Sequence, residues 1–291
     1  MKMRRRRFEI VVLALVLAAA CGGKPAPPAP GRLSILISND DGIEAPGILA
    51  LAEAVRPLGE VVVAAPAGNR TGMSHAVSSE RPIAVEESGR RGQRWLAIHA
   101  TPATCVRLAV EKLLPSRPDI VLSGINSGEN LGTVTFYSAT VGAAREAAFL
   151  GIPAVAINLA AANGMDYGTA AEVTARIVRA LGKDGIPPGV FLNVNFPSLP
   201  GDELRGVRIT RQDTRAPFDF FEKTVSPDGR TEYKPGWVHL EPEGADTDIW
   251  AVRNGYVSVS VFGFDQTAAV APGALLALKR LESLDFAKKK P

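Results

Sequence analysis

The segment Ser38-Asn39-Asp40-Asp41-Gly42 places two carboxylates side by side, an arrangement that can bind a metal ion. It follows the apolar run Leu33-Ser34-Ile35-Leu36-Ile37, which is typical of a buried strand. Adjacent carboxylates at the end of such a strand lose hydration and repel each other, so they need a compensating cation. Carboxylate oxygens favour a hard ion such as Mg²⁺ or Mn²⁺. A solvated turn is the alternative interpretation, because Asp and Gly are common turn residues.

Two later loops carry oxygen-bearing side chains beside glycines. Asn69-Arg70-Thr71-Gly72 follows the apolar run Val61–Ala65, and Gly124-Ile125-Asn126-Ser127-Gly128 follows the run Ile120–Ser123. In a parallel sheet, loops that follow strands meet at the carboxyl edge, where ligands bind. Hydroxyl and amide oxygens would complete a hard-cation site, and glycines let backbone N–H groups approach an anion.

A fourth segment, Tyr137-Ser138-Ala139-Thr140, precedes a helix of small residues. A helix N-terminus with two hydroxyls can bind phosphate, although helix capping alone would also explain Ser138. Phe136 and Tyr137 could stack on a nucleobase or belong to the core. His75, in the loop that contains Thr71, is a candidate proton donor.

The elements that must position these loops alternate between strand and helix patterns. This alternation predicts a Rossmann-like, three-layer α/β/α fold with a mainly parallel sheet. The predicted strands are 33–38, 61–65, 82–85, 95–99, 120–123, 153–157, 191–194, 206–210 and 257–261, and the predicted helices are 46–55, 101–114, 138–150, 170–181 and 271–284. The polar, proline-containing region of about 200–255 predicts a protruding C-terminal hairpin arm used in subunit contact, with a surface loop as the alternative.

Residues 1–31 predict a lipoprotein signal peptide and a Pro/Gly-rich spacer. A run of arginines precedes the apolar stretch Ile10–Ala20, which is too short to span a bilayer. Small residues stand directly before Cys21, so a lipid on Cys21 would anchor an exported protein at a bacterial membrane, facing the periplasm or the cell exterior. Ordinary cleavage near Ala20 is the alternative.

The net charge excludes a broad basic surface. The chain has a formal charge of +3, but residues 1–20 contain five basic residues against Glu9, which leaves −1 for the remainder. No nucleic-acid binding is therefore expected. The second cysteine, Cys105, lies in an apolar helical stretch and is predicted to be a buried, inert thiol.

Taken together, the motifs resemble the SurE-type survival proteins, which are metal-dependent 5′-nucleotidases. The resemblance covers residues 32 to about 270 and rests on Ser38–Gly42, Ala45-Pro46-Gly47, Ala65-Pro66, Asn69–Gly72, Ser123–Gly128, Asn130-Leu131-Gly132, Tyr137-Ser138, Asn193-Val194-Asn195 and Thr247-Asp248. It implies a SurE-like phosphatase domain over 32–284 that hydrolyses nucleoside 5′-monophosphates to nucleoside and phosphate. It also implies one divalent metal ion per subunit and a homodimer or homotetramer. Typical relatives are cytoplasmic, which gives an alternative to export.

The resemblance also implies roles for individual residues. The implied metal ligands are Asp40, Asp41, Thr71 and Asn126. The predicted catalytic residues are Asp40, Asp41, Asn39 and Ser138, and the predicted substrate-binding residues are Gly124, Ser127, Gly128, Ser138 and Thr140. Thr71 stands where the family usually has Ser, Thr104 stands where an Asp is expected, and 133–136 lacks the expected acidic character. These departures concern substrate preference more than hydrolysis. Metal-activated water is preferred as the nucleophile over Asp40.

Two other functions compete with this interpretation. A haloacid-dehalogenase-type phosphatase also has Asp residues after its first strand, but it needs Asp-x-Asp spacing and a later Lys. An envelope solute-binding lipoprotein would fit the N-terminal segment, but such proteins usually have two comparable lobes and no carboxylate pair after the first strand.

Overall fold

The computed structural model describes residues 32–90, 92–161, 164–182, 185–215, 218–237, 241–267 and 279–283. The predicted signal peptide and spacer, with Cys21, lie outside the described residues. So does most of the helix predicted at 271–284. Within that helix, Lys279–Ser283 forms a short 3₁₀ turn.

The described residues contain eleven strands and five α-helices. The strands are β1 (Leu33–Ser38), β2 (Gly59–Pro66), β3 (Val85–Arg90), β4 (Gln93–Ile98), β5 (Ile120–Ser127), β6 (Ala154–Leu159), β7 (Val190–Phe196), β8 (Val207–Thr210), β9 (Phe218–Val225), β10 (Thr231–Trp237) and β11 (Val257–Gly263). The helices are α1 (Pro46–Val55), α2 (Pro102–Leu108), α3 (Ala139–Phe149), α4 (Tyr167–Leu181) and α5 (Asp248–Arg253).

Nine strands form one mixed sheet in the order β3-β4-β2-β1-β5-β6-β7-β11-β8. Its centre, from β4 to β7, is parallel throughout. β3 is antiparallel to β4, β11 is antiparallel to β7, and β8 is parallel to β11. The predicted α/β fold with a mainly parallel sheet is confirmed.

Residues of β1 alternate between two apolar cores, one on each face of the sheet. Ile35 and Ile37 pack with residues of α1 and α4, and Leu36 packs with residues of α2 and α3. A strand covered on both faces is apolar throughout, which explains why these segments read as continuous apolar runs. The structure therefore has the three layers that the sequence predicts.

The hairpin of the predicted arm is present, but it is shorter than the region of about 200–255. β9 and β10 pair with each other in a separate two-stranded sheet. At the two ends of that region, β8 joins the main sheet and α5 packs against β11. The strand predicted at 206–210 is thus present as β8, whereas the polar composition of the region hides α5.

The segment predicted as one helix at 101–114 is α-helical only in its first half. α2 ends at Leu108, and Ala109–Leu113 continues as a π-helical turn. Cys105 lies inside α2 and is fully buried, as predicted. Burial raises the pKa of its thiol, so the thiol stays protonated at neutral pH and is inert.

Candidate active site

Three of the predicted loops meet at the carboxyl edge of the sheet, because β2, β1 and β5 are parallel neighbours. The backbone N–H of Arg70, after β2, donates to the carbonyl oxygen of Asp40 at 2.6 Å. The backbone N–H of Ser127, at the end of β5, donates to Oδ2 of Asp41 at 3.1 Å. The acidic pair is thus held between the loops on both sides.

Asp40 is buried, with 2% of its surface exposed. The Thr140 hydroxyl, at the start of α3, donates to Asp40 Oδ1 at 2.5 Å. Burial raises the pKa of Asp40 to about 6; the hydrogen bond from Thr140 opposes this shift, and the charge of Asp41 adds to it. A nearby cation would strongly stabilise the ionised form of this buried carboxyl group.

Asp41 is less enclosed than Asp40. Burial raises its pKa as well, and the N–H of Ser127 opposes the shift. Both carboxylates are therefore destabilised in their ionised forms by the same cause, the loss of water. A divalent cation between them would reverse the shift in both.

Asn39 orients the loop that carries the pair. Its Nδ2 donates to the carbonyl oxygen of Gly42 at 2.8 Å. Its Oδ1 and the hydroxyl oxygens of Ser38 and Ser123 are buried without a hydrogen-bond partner among the described residues. Ser38, the last residue of β1, is the register partner of Ser123 in the middle of β5. Unsatisfied buried oxygens are costly, and here three of them accompany the acidic pair at one edge of the sheet.

Asn126 approaches the same place from β5. Its Nδ2 donates to the carbonyl oxygen of Gly128 at 2.8 Å, and its Oδ1 lies 3.3 Å from the Thr140 hydroxyl. Thr140 therefore contacts both Asp40 and Asn126. Thr71 is exposed, in the loop that Arg70 ties to Asp40.

This donor set fits a hard divalent cation. The predicted ligands supply two carboxylates, from Asp40 and Asp41, the amide oxygen of Asn126 and the hydroxyl of Thr71. All of these are oxygen ligands of the kind that Mg²⁺ and Mn²⁺ prefer. The described residues contain no group of three or more His, Cys, Asp or Glu side chains placed to hold a metal ion. The predicted set contains only two such residues, Asp40 and Asp41.

The glycine-rich loop after β5 makes its own internal contacts. Gly124 has φ +145°, and a Cβ there would lie 2.3 Å from the carbonyl oxygen of Ile157, so β5 and β6 approach closely only with glycine at this position. The N–H of Gly128 donates to the carbonyl oxygen of Leu159 at 2.9 Å, and the N–H of Ser127 is used by Asp41. These donors hold the loop in place.

Ser138 is the N-cap of α3. Its hydroxyl accepts the N–H of Val141 at 3.1 Å, and the residue is buried. Ser138 therefore caps the helix, as the alternative interpretation proposed. It lies two residues before Thr140, which contacts Asp40.

His75 contacts a carboxylate of α3. Its Nε2 lies 2.6 Å from Oε2 of Glu146, which is buried and also lies 2.5 Å from Nη2 of Arg107. This contact fixes the imidazole against the middle of α3, one to two turns beyond Thr140 along the helix.

Sequence reasoning gave no role to Arg70. This residue is partly buried, and its guanidinium has no hydrogen bond or ion pair with any of the described residues. Its backbone N–H donates to the carbonyl oxygen of Asp40, and its guanidinium is close enough to Cys105 for its charge to lower the pKa of that thiol. The signal that could have identified it is its position between Asn69 and Thr71 in a loop of small polar residues.

Sequence reasoning also missed a buried asparagine network behind the site. Asn130 Nδ2 donates to Asn158 Oδ1 at 2.6 Å, Asn158 Nδ2 donates to Asn193 Oδ1 at 2.8 Å, and the N–H of Asn130 donates to Asn195 Oδ1 at 2.8 Å. All four residues are buried. The network fastens the loop after β5 to β6 and β7. Two asparagines inside the buried strand β7 were the available signal.

A second buried group ties the base of the arm to the site. Asp248 is fully buried; its Oδ2 accepts the N–H of Gly132 at 2.8 Å, and its Oδ1 accepts the N–H groups of Asp213 and Ile249, each at 2.9 Å. Gly132 begins the 3₁₀ turn Gly132–Phe136, which leads directly to Ser138.

Comparisons of the sequence and of the structure with known proteins lead to the same family. The family model described as "Survival protein SurE" matches residues 35–218. The chain is 43% identical to "5'-nucleotidase SurE" of Methylococcus capsulatus, over 81% of this chain and 93% of that protein. It is 41% identical to "5'-nucleotidase SurE" of Geobacter metallireducens, over 88% and 99%. The crystal structure of the SurE protein from Aquifex aeolicus superposes with a TM-score of 0.75 at 38% identity, covering 85% of this chain and 99% of that one.

The prediction of an exported lipoprotein anchored at a membrane through Cys21 is wrong. The finding that overturns it is the match to proteins named "5'-nucleotidase SurE", and the family model covers residues 35–218, so the similarity gives no support to an anchor at Cys21. The prediction came from a charged segment followed by an apolar one, a pattern that lies wholly within residues 1–31, outside the described residues. No helix in the described part of the chain has the length and apolar character needed to cross a bilayer.

Proposed function

Because this chain belongs to the survival protein SurE family, it is a 5′-nucleotidase, and we propose that it hydrolyses nucleoside 5′-monophosphates at the site around Asp40 and Asp41. The observation that carries this placement is the convergence of Asp40, Asp41, Asn126 and Thr140 at one edge of the sheet. The alternatives do not fit as well. A haloacid-dehalogenase-type phosphatase needs two Asp residues separated by one residue, whereas Asp40 and Asp41 are adjacent. The solute-binding interpretation depended on the N-terminal segment.

We propose that Asp40, Asp41, Asn126 and Thr71 hold one divalent ion per subunit, Mg²⁺ or Mn²⁺. Such an ion, when bound, polarises a phosphate oxygen and lowers the pKa of water. The Thr140 hydroxyl holds Oδ1 of Asp40, and the Ser127 N–H holds Oδ2 of Asp41. These two hydrogen bonds fix the rotation of both carboxylates, so their remaining oxygens are oriented before the ion binds.

The phosphate of the substrate is assigned to the start of α3 and to Arg70. Ser138 and the first turn of α3 supply the positive end of a helix, and Arg70 supplies a guanidinium that has no hydrogen bond or ion pair within the part of the chain that the structure describes. Gly124, Ser127 and Gly128 shape the loop that faces this phosphate. Asn39 holds the acidic loop in its bent form through Gly42.

Water is the proposed nucleophile. Asp40 is buried and held by Thr140, which restricts its movement toward phosphorus. An attack in line with the leaving 5′-oxygen places charge on the equatorial phosphate oxygens, where Arg70 and the α3 N-terminus would stabilise it. Isolation of a phospho-enzyme labelled on Asp40 would instead identify this carboxylate as the nucleophile.

The proposed activity is tested by phosphate release from a panel of nucleoside 5′-monophosphates. Protein stripped with a chelator should be inactive, and addition of Mg²⁺ or Mn²⁺ should restore release. If no member of the panel releases phosphate with either ion, the proposed function is wrong.

Metal affinity should fall as the pH drops below about 6. The folded-state pKa of Asp40 is raised to about 6, so this carboxyl is protonated below that pH and must lose its proton for an ion to bind. The expected change in Kd is about fivefold between pH 5 and 6, approaching about tenfold per pH unit below pH 5 and flattening above pH 7. Titration of chelator-stripped protein with Mn²⁺ at several pH values measures it.

Thr140→Val provides the matched comparison. It removes the hydrogen bond that lowers the pKa of Asp40, so the midpoint of the pH dependence should move upward. Equal affinity at pH 5 and pH 7 in the unmodified protein would contradict the assignment of Asp40 as a ligand.

We propose that the β9–β10 hairpin contributes to a homodimer or homotetramer. Phe221 and Tyr233 on these strands are 72% and 60% exposed. Large apolar side chains at this exposure on a two-stranded sheet favour contact with another subunit.

A further inference from the structure

Three large apolar side chains are exposed to solvent in the loops next to the acidic pair. Met73, Phe136 and Tyr137 are 42%, 48% and 55% exposed, and together they are called the apolar rim. The sequence left open whether the two aromatic residues belong to the core, and their exposure excludes that interpretation. Exposed apolar groups that cluster beside a polar site are typical of ligand-binding surfaces.

Backbone hydrogen bonds hold the two halves of the rim together. The N–H of Ser74 donates to the carbonyl oxygen of Tyr137 at 3.0 Å, and the Ser74 hydroxyl donates to the carbonyl oxygen of Phe136 at 2.6 Å. Met73, next to Ser74, is thereby brought beside the aromatic pair. The rim is part of a defined surface built from two loops.

Both halves of the rim lead directly to the acidic pair. Met73 follows Arg70 by three residues, and the N–H of Arg70 donates to Asp40. Tyr137 precedes Thr140 by three residues, and the hydroxyl of Thr140 donates to the same carboxylate. Three residues span at most about 10 Å of chain, so the rim lies within that reach of the two residues that contact Asp40.

We propose that the apolar rim binds the nucleobase of the substrate by stacking on its flat face. This inference rests on the proposed function and names the part of the substrate that the rim recognises. Aromatic rings and methionine sulfur attract flat π systems, and stacking tolerates every base because each has a π-face. The Ser74 hydroxyl is already used within the rim, so recognition of the base depends on its face more than on its hydrogen-bonding edge.

The test compares a nucleoside 5′-monophosphate with ribose 5-phosphate, which has the same phosphate and sugar but no base. Phe136→Ala should lower kcat/KM for the nucleotide by about 5- to 100-fold, mainly through KM, since stacking on one aromatic side chain has this magnitude. Hydrolysis of ribose 5-phosphate should change less than about twofold, because that substrate does not reach Phe136. Phe136→Trp should restore most of the nucleotide activity.

The control is Phe149→Ala. Phe149 is 58% exposed and ends α3, the helix that begins beside the site, so it tests an exposed phenylalanine far from the acidic pair. Its removal should leave both substrates unaffected. Melting temperatures of the variants should be measured alongside.

Two results would overturn the inference. An equal loss with both substrates would make the rim a structural support, and no loss with either would remove it from the reaction. A wild-type protein that hydrolyses neither substrate would instead contradict the proposed function itself, so the two failures are distinguishable.

Discussion

Asp41→Asn is expected to lower kcat for nucleoside 5′-monophosphates by at least about 10³-fold, the loss that corresponds to several kcal/mol of metal-dependent stabilisation. Asparagine keeps the size of the side chain and can still accept the N–H of Ser127, so the loop keeps its shape. The charge that would hold the divalent ion is lost. Phosphate release at saturating Mn²⁺ measures the effect.

The same substitution should leave the fold intact. Burial raises the pKa of Asp41, so its ionised form is a cost to the metal-free protein, and the neutral amide removes that cost. The melting temperature in chelator should therefore stay the same or rise. Asp202→Asn, at an exposed carboxyl outside the site, should keep its activity within about twofold. More than a tenth of wild-type activity in Asp41→Asn would remove this carboxylate from the mechanism.

Asp248→Ala should lower the free energy of unfolding by about 3–5 kcal/mol, because it leaves three buried N–H groups without an acceptor. These N–H groups belong to Gly132, Asp213 and Ile249, and each donates one hydrogen bond to the Asp248 carboxylate. Urea unfolding followed by circular dichroism measures the loss.

Asp246→Ala is the control for this stability change. Asp246 lies two residues earlier, its side chain is 67% exposed, and it pairs with Arg211. An exposed ion pair contributes less than about 1 kcal/mol, so this variant should remain close to the unmodified protein. Equal losses in both variants would show that the burial of Asp248 has no special effect on stability.

Much of the fold follows from local sequence. α1 begins at Pro46 and ends at Val55 as predicted, because proline favours the first helical position and apolar residues recur on one face. α5 was not predicted, since its six residues give less than two turns of periodicity inside a polar region. The change to π-helix after Leu108 also has no sequence signal, because a π-helical turn and an α-helix present similar apolar spacing.

The proximity of the candidate residues was more predictable than their contacts. Adjacent carboxylates after an apolar run made Asp40 and Asp41 candidates, and we expected Asn126 near them because loops that follow parallel strands meet at one edge of the sheet. The use of the N–H groups of Ser127 and Gly128 did not follow, because a glycine-rich loop can cradle an anion or fasten itself to the protein with the same residues. Only the tertiary structure decides between these uses.

The contact between Asp40 and Thr140 spans 100 residues of chain. Contacts of this range close late in folding, because the entropy of a long loop must be lost before they form. During synthesis, the two acidic residues therefore leave the ribosome well before α3 exists to enclose them, and they remain hydrated with ordinary acidity. The ion site proposed above would therefore be complete only when α3 docks and Thr140 reaches Asp40.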